Sequence, residues 1–162
     1  MRYFNTEGVC DPKEHYMVRL DGRLTCIKNT LVDRKKYFVI NRGRQYGKTT
    51  TLAALEEYLQ DDYIVLSLDF QQMGTEDFAD APTFAHAFAN ILIETLEING
   101  MCDRKELTEP LAEIMGRESN SLKELFMCLS RMCRNSTQPI VLMIDEVDSA
   151  SNNQVFVDFL AS

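Results

Sequence analysis

Three short apolar runs constrain the fold of this chain more than any other feature. They are Tyr37 to Ile40 (YFVI), Tyr63 to Phe70 (YIVLSLDF) and Ile140 to Ile144 (IVLMI). Each is β-prone and apolar at consecutive positions, so each reads as a strand buried on both faces. Stretches with helical spacing separate them. Leu24 to Arg34 carries Leu24, Ile27, Leu31 and Val32 in register. Lys48 to Gln60 is rich in helix formers. Pro82 to Ile98 places Phe84, Phe88, Ile91, Leu92 and Leu96 on one face and closes at Asn99-Gly100. Residues 105–116, Ser121 to Cys133 (Ser119 or Ser121 as cap, Glu124 in the first turn) and Asn152 to Leu160 complete the helical set. Doubly buried strands joined through helices predict an α/β fold, a three-layer parallel sheet flanked by helices.

At 162 residues the expectation is a single domain, 1–162. Within it, 1–36 form a polar arm and a first helix, and 37–162 form the core. An apolar share of 45% with 26% charged residues excludes a disordered, collagen-like or coiled-coil chain. Seventeen Lys and Arg against 25 Asp and Glu give a net charge of −8. A chain so acidic is a poor general binder of nucleic acid, whose affinity comes mainly from neutralised phosphates. Any phosphate site must therefore be local. The five cysteines are odd in number and include no C-x-x-C pair, which argues against a disulfide framework or a zinc site and for buried free thiols. The first residues, MRYFNTEGVCDPKEHY, have no apolar core of a signal peptide, and no stretch approaches the ~20 apolar residues of a membrane span. The expectation is a soluble, cytoplasmic protein with no membrane partner.

The strongest chemical signal is the strand–loop–helix order YFVI-NRGRQYGKTT-TLAALEEYL. A loop ending in Gly-Lys-Thr and opening a helix can hold the phosphates of a nucleotide, because glycines allow close backbone approach and successive N–H groups point at the anion. Arg42, Gly43, Arg44, Gln45, Tyr46, Gly47, Lys48, Thr49 and Thr50 form this candidate site. Lys48 would reach the β- and γ-phosphates and the Thr49 hydroxyl would ligate Mg2+. The pattern G-x-x-x-x-G-K-[ST] wants glycine at position 42, where Arg42 stands; Gly43 is one place late. The second signal is IVLMIDEVD. Asp145, ending an apolar strand, is placed to hold Mg2+ directly or through water, and Glu146 to orient or deprotonate an attacking water. In a parallel α/β sheet both motifs come to the C-terminal edge of the strands, where ligands bind.

The segments FNTEGVCDPKEHYMV, YFVINRGRQYGKTTTL and IVLMIDEVDSASNNQVFVDFL together resemble the bacterial AAA-like ATP-binding proteins of the P-loop NTPase superfamily. The Asp-Glu doublet is similar to that of the group with an additional catalytic glutamate, such as AAA+ and STAND ATPases. The resemblance implies ATP as the nucleotide, Mg2+ as its metal, and a base pocket lined by Tyr16, Met17 and Val18. It also implies that the strand following the Asp-Glu motif lies between the two motif strands and ends in a polar sensor. The chain stops at Ser162, before such a strand. The expectation is therefore an incomplete domain lacking its C-terminal strands. Its sheet edges would invite self-association, and its hydrolysis would be weak unless Arg42, Arg44 or a neighbouring chain supplies an arginine.

Two functions follow from different classes. One is an ATPase that couples turnover to a conformational change in a longer protein. The alternative is an interaction module that binds ATP without significant turnover and recruits a protein partner. Nucleic-acid remodelling is disfavoured by the charge. The remaining residues carry blander expectations. His86 is a satisfied or surface histidine, His15 a member of the arm that could also meet a base, and Asp69 a capping or solvated residue at its strand end that could also contact magnesium-bound water or substrate. Asp148 is solvated or caps the last helix, and Met127, Cys128, Met132 and Cys133 face the core.

Overall fold

The computed structural model describes residues 3, 10, 13–16, 18–41, 47–147, 150 and 152–161. The chain divides into two compact units, Met1–Val65 and Leu66–Ser162.

In the first unit, α1 (Asp21–Ile27) runs into one π-helical turn, Lys28–Val32. This is the expected first helix, begun earlier and with a wider last turn. It packs on α2 (Lys48–Leu59), and Thr25 and Tyr58 share a 3.1 Å hydrogen bond across the contact. Leu24, Val32, Thr51, Leu55 and Leu59 are buried here. Lys28 Nζ binds Asp33 at 3.0 Å and Asp62 at 3.2 Å, and the Tyr63 hydroxyl donates to Asp33 at 2.6 Å. These contacts pin the π-helical turn to the segment that follows α2.

Strand β1 (Ile64–Asp69) leads from the first unit into the second, where it pairs in parallel with β2 (Ile140–Asp145). Its apolar residues Ile64, Val65, Leu66 and Leu68 are all buried, as consecutive apolar positions predict. Helices α3 (Ala81–Ile98), α4 (Lys105–Met115), α5 (Leu122–Asn135) and α6 (Gln154–Ala161) complete the second unit. α3, α4 and α5 pack on one another. The start of α5 follows the sequence closely. The Ser121 hydroxyl accepts the Glu124 N–H and the Glu124 carboxylate accepts the Ser121 N–H, a reciprocal cap. Asp80 caps α3 in one direction, its side chain accepting the Thr83 N–H.

The centre of this unit is aromatic. Phe70, Phe78, Phe84, Phe88, Phe126, Phe156 and Phe159 form a continuous cluster, with ring centroids 5.0 Å apart for Phe88–Phe159 and 5.4 Å for Phe70–Phe156. Offset and edge-on ring pairs of this kind add stabilisation beyond the area they bury. The cluster joins the two short turns after β1 (Phe70–Gln72 and Thr75–Phe78) with α3, α5 and α6.

Three expectations are corrected. Tyr37 to Ile40 is not a strand: it joins no ladder among the described residues, and Tyr37 and Val39 are 105% and 84% exposed. A β-prone run becomes a strand only where another strand accepts its hydrogen bonds. The described sheet therefore has two strands rather than three. Of the four residues expected to face the core from α5, Cys128 and Met132 are buried, but Met127 and Cys133 are exposed, because they lie a residue off the buried stripe of Leu125, Cys128 and Met132. The cysteines are free, but only Cys128 is buried; burial pushes its thiol up to about 11. Among the described residues no helix is long and apolar enough to cross a membrane.

Candidate functional site

The two chemical signals fall in different units, the turn into α2 in the first and the end of β2 in the second. Arg42, Gly43, Arg44, Gln45 and Tyr46 lie outside the described residues, as do Met17 and Asp148.

The described part of the loop begins at Gly47. It stands at φ 72°, ψ 35°, the left-handed region that favours glycine, and it caps α2. Because the cap is a glycine, no side chain folds back over the first helical turn. Thr51 fixes the cap: its hydroxyl donates to the Gly47 carbonyl at 2.7 Å and its N–H donates to the same oxygen at 2.9 Å. The Thr50 hydroxyl accepts the Cys10 N–H at 3.3 Å, tying the arm to the same turn. Lys48 and Thr50 are half-buried and Thr49 is exposed.

The electrostatics of this turn are unusual for a helix start. No acid lies in it, and Lys48 occupies its first position. The partial positive charge of a helix N-terminus favours an acid by about 0.3–1 kcal/mol and disfavours a cation by a similar amount. An anion bound at this turn would be attracted by backbone N–H groups, helix dipole and ammonium alike.

At the end of β2, Asp145 and Glu146 are half-buried neighbours. Glu146 stands at φ 55°; among the described residues Lys35 is the other non-glycine with positive φ. Asp145 Oδ1 accepts the Glu146 N–H at 2.9 Å, which holds the kink. The left-handed conformation costs a non-glycine residue about 1–2 kcal/mol, and strain of this kind concentrates where function requires a side chain to be aimed. Glu146→Gly is therefore expected to raise stability by about 1 kcal/mol, roughly 2–4 °C in Tm for a chain of this size. Glu146→Gln, which keeps the strain, should leave Tm unchanged. Thermal scans of the two variants beside the wild type make the comparison. A Glu146→Gly protein no more stable than Glu146→Gln would show that the backbone here is relaxed.

The other candidates resolve more simply. Asp69 accepts the Gln71 N–H at 2.9 Å, the capping role expected of it. His86 Nε2 meets the Arg117 carbonyl at 3.0 Å on the surface of the second unit. In the arm, Tyr16 and Val18 are exposed, whereas His15 is buried edge-on against Tyr3 with ring centroids 4.7 Å apart. Sequence reasoning did not single out Thr51, although a threonine four residues after a helix-capping glycine can return its hydroxyl to the capping carbonyl.

A family model for the AAA-like domain matches residues 12–161, a span that includes both signals. The chain belongs to the AAA-like domain family. Membership indicates nucleotide binding as the kind of function. Comparisons with curated proteins and with solved structures give no match.

Proposed function

We propose that this AAA-like domain belongs to the P-loop ATPases with an additional catalytic glutamate, and that it binds Mg-ATP and hydrolyses it. The observation that carries the reading is the start of α2: a left-handed glycine cap followed by Lys48-Thr49-Thr50, with no acid in the first turn. That arrangement suits a phosphate group, because backbone N–H groups, the helix dipole and the Lys48 ammonium all attract an anion.

The roles divide by chemistry. The first-turn N–H groups and Lys48 hold the β- and γ-phosphates, with the loop residues Arg42 to Tyr46 completing the cradle. The Thr49 hydroxyl and one oxygen of Asp145 would hold Mg2+. The ion fits this donor set because it prefers oxygen ligands and is commonly held by one or two protein groups together with phosphates and water. When bound, it would neutralise charge developing on the phosphates. Glu146, at φ 55°, orients and deprotonates the attacking water. Tyr16 and Met17 sit in the segment assigned to the base.

Glu146→Gln tests the hydrolytic part. It keeps size and backbone strain but removes the base, so steady-state phosphate release should fall by about 10²–10⁴-fold while Mg-ATP binding is retained. A wild type that binds Mg-ATP without measurable release would replace the ATPase reading by that of an ATP-dependent interaction module.

A further inference from the structure

The hairpin of α4 and α5, inside the second unit, carries a groove that the nucleotide reading does not use. Two ion pairs cross it. Arg131 donates to both carboxylate oxygens of Glu113, at 2.5 and 2.8 Å, and Arg117 donates to Glu124 at 2.8 Å. From the second pair to the first, the position on the α4 side falls from 117 to 113 while that on α5 rises from 124 to 131. The helices therefore run antiparallel, and the pairs are rungs at two heights along the groove. The four charged side chains surround a cavity of about 50 Å³, whose buried lining is Pro110, Ile114 and Cys128. Small-molecule pockets run to about 300–1,000 Å³, so this one has room for the end of a side chain. Met127 lines the same cavity, yet it is 57% exposed.

The charge pattern is complementary to itself. A rotation of 180° about an axis parallel to the groove, at its mouth, keeps each height and exchanges the α4 side for the α5 side. Glu113 of one copy then faces Arg131 of the other, and Arg117 faces Glu124. Each ion pair becomes part of a ring of four alternating charges. The same rotation brings Met127 of each copy toward Pro110 and Ile114 of the other. An unbranched thioether fills an irregular hollow of this kind well. Self-complementarity of one patch is what a two-fold interface requires. The four groove charges sum to zero, and exposed charges beyond about 8 Å are largely screened at physiological ionic strength. The net charge of −8 therefore opposes the contact only weakly.

We propose that two copies of this chain associate through the α4–α5 groove about such a two-fold axis, with Met127 at the centre and the two charge rings around it. The proposal does not depend on nucleotide binding.

Analytical ultracentrifugation of the whole chain, from micromolar to millimolar concentration, tests it. The wild type should pass from monomer to dimer. Met127→Asp sets carboxylates at the centre and should weaken the dimer by about tenfold or more, whereas Met127→Leu should keep it. Glu113→Arg combined with Arg131→Glu preserves the bridge within each chain and the alternation between two swapped copies. That variant should associate with itself as the wild type does. Against the wild type, followed as a labelled tracer, it should associate about tenfold more weakly or less, because like charges then face each other. Cooperative unfolding of each variant in urea shows that it is folded. A chain that stays monomeric throughout would overturn the proposal and leave the groove to a different protein. A dimer that survives Met127→Asp, or a swapped chain that pairs equally well with the wild type, would overturn it by placing the contact elsewhere.

Discussion

Mg-ATP is expected to stabilise the wild type against heat, and Lys48→Ala is expected to abolish that stabilisation. Ligand at ~100 times its Kd stabilises a folded protein by about 2.7 kcal/mol, which for a chain of this length is a rise of roughly 5–10 °C. Removing one member of a close charge pair costs about 2–5 kcal/mol. A loss near 3 kcal/mol weakens Kd by more than ~100-fold. At the same ATP concentration the ligand would then be near or below Kd, and the stabilisation would drop to about 0.4 kcal/mol or less. Without nucleotide, the variant should melt within a few degrees of the wild type, since alanine is the better helix former and the cation opposes the helix dipole. A shift that persists in Lys48→Ala would move ATP away from α2. A wild type that unfolds cooperatively yet shows no shift would remove nucleotide binding from these residues.

The largest expected loss of stability comes from the aromatic cluster. Phe88 is fully buried, and its ring lies 5.0 Å from Phe159, 5.6 Å from Phe84 and 6.2 Å from Phe70. Phe88→Ala removes those contacts and leaves a cavity that rigid neighbouring rings fill poorly. The expected cost is about 3–5 kcal/mol, or roughly 6–20 °C in Tm. That is a large part of the ~5–15 kcal/mol that stabilises an ordinary domain. Phe126 is half-buried and stacks on Phe159 at 5.3 Å at the edge of the cluster. Phe126→Ala should cost less than half as much. Urea denaturation of both variants gives the two numbers, and equal losses would show that the cluster has no centre.

Much of this was legible in the sequence because its physics is local. The reciprocal cap at Ser121 and Glu124 needs two side chains three residues apart and nothing else. The end of α3 at Asn99 with Gly100 at φ 66° follows from glycine's tolerance of the left-handed region. Residue order alone also placed Gly47-Lys48-Thr49 at a helix start and Asp145 at a strand end.

Other features depended on residues distant in sequence. Tyr37 to Ile40 has the composition of a buried strand, yet pairing is a property of two segments, and no described segment pairs with this one. Met127 and Cys133 have apolar side chains, but the rotation of α5 against its neighbours turned the stripe of Leu125, Cys128 and Met132 inward instead. The left-handed turn at Glu146 leaves no trace in residue type, because glutamate adopts it only when the surrounding chain requires it. The seven-ring cluster likewise gathers from five elements whose order along the chain says nothing of their meeting. The sequence by itself determined the helices, their caps, the β-prone runs and the chemical identity of the candidate site. Tertiary structure decided which runs became strands, which faces were buried and where the backbone is strained, because each of those depends on free energy shared between residues far apart in the chain.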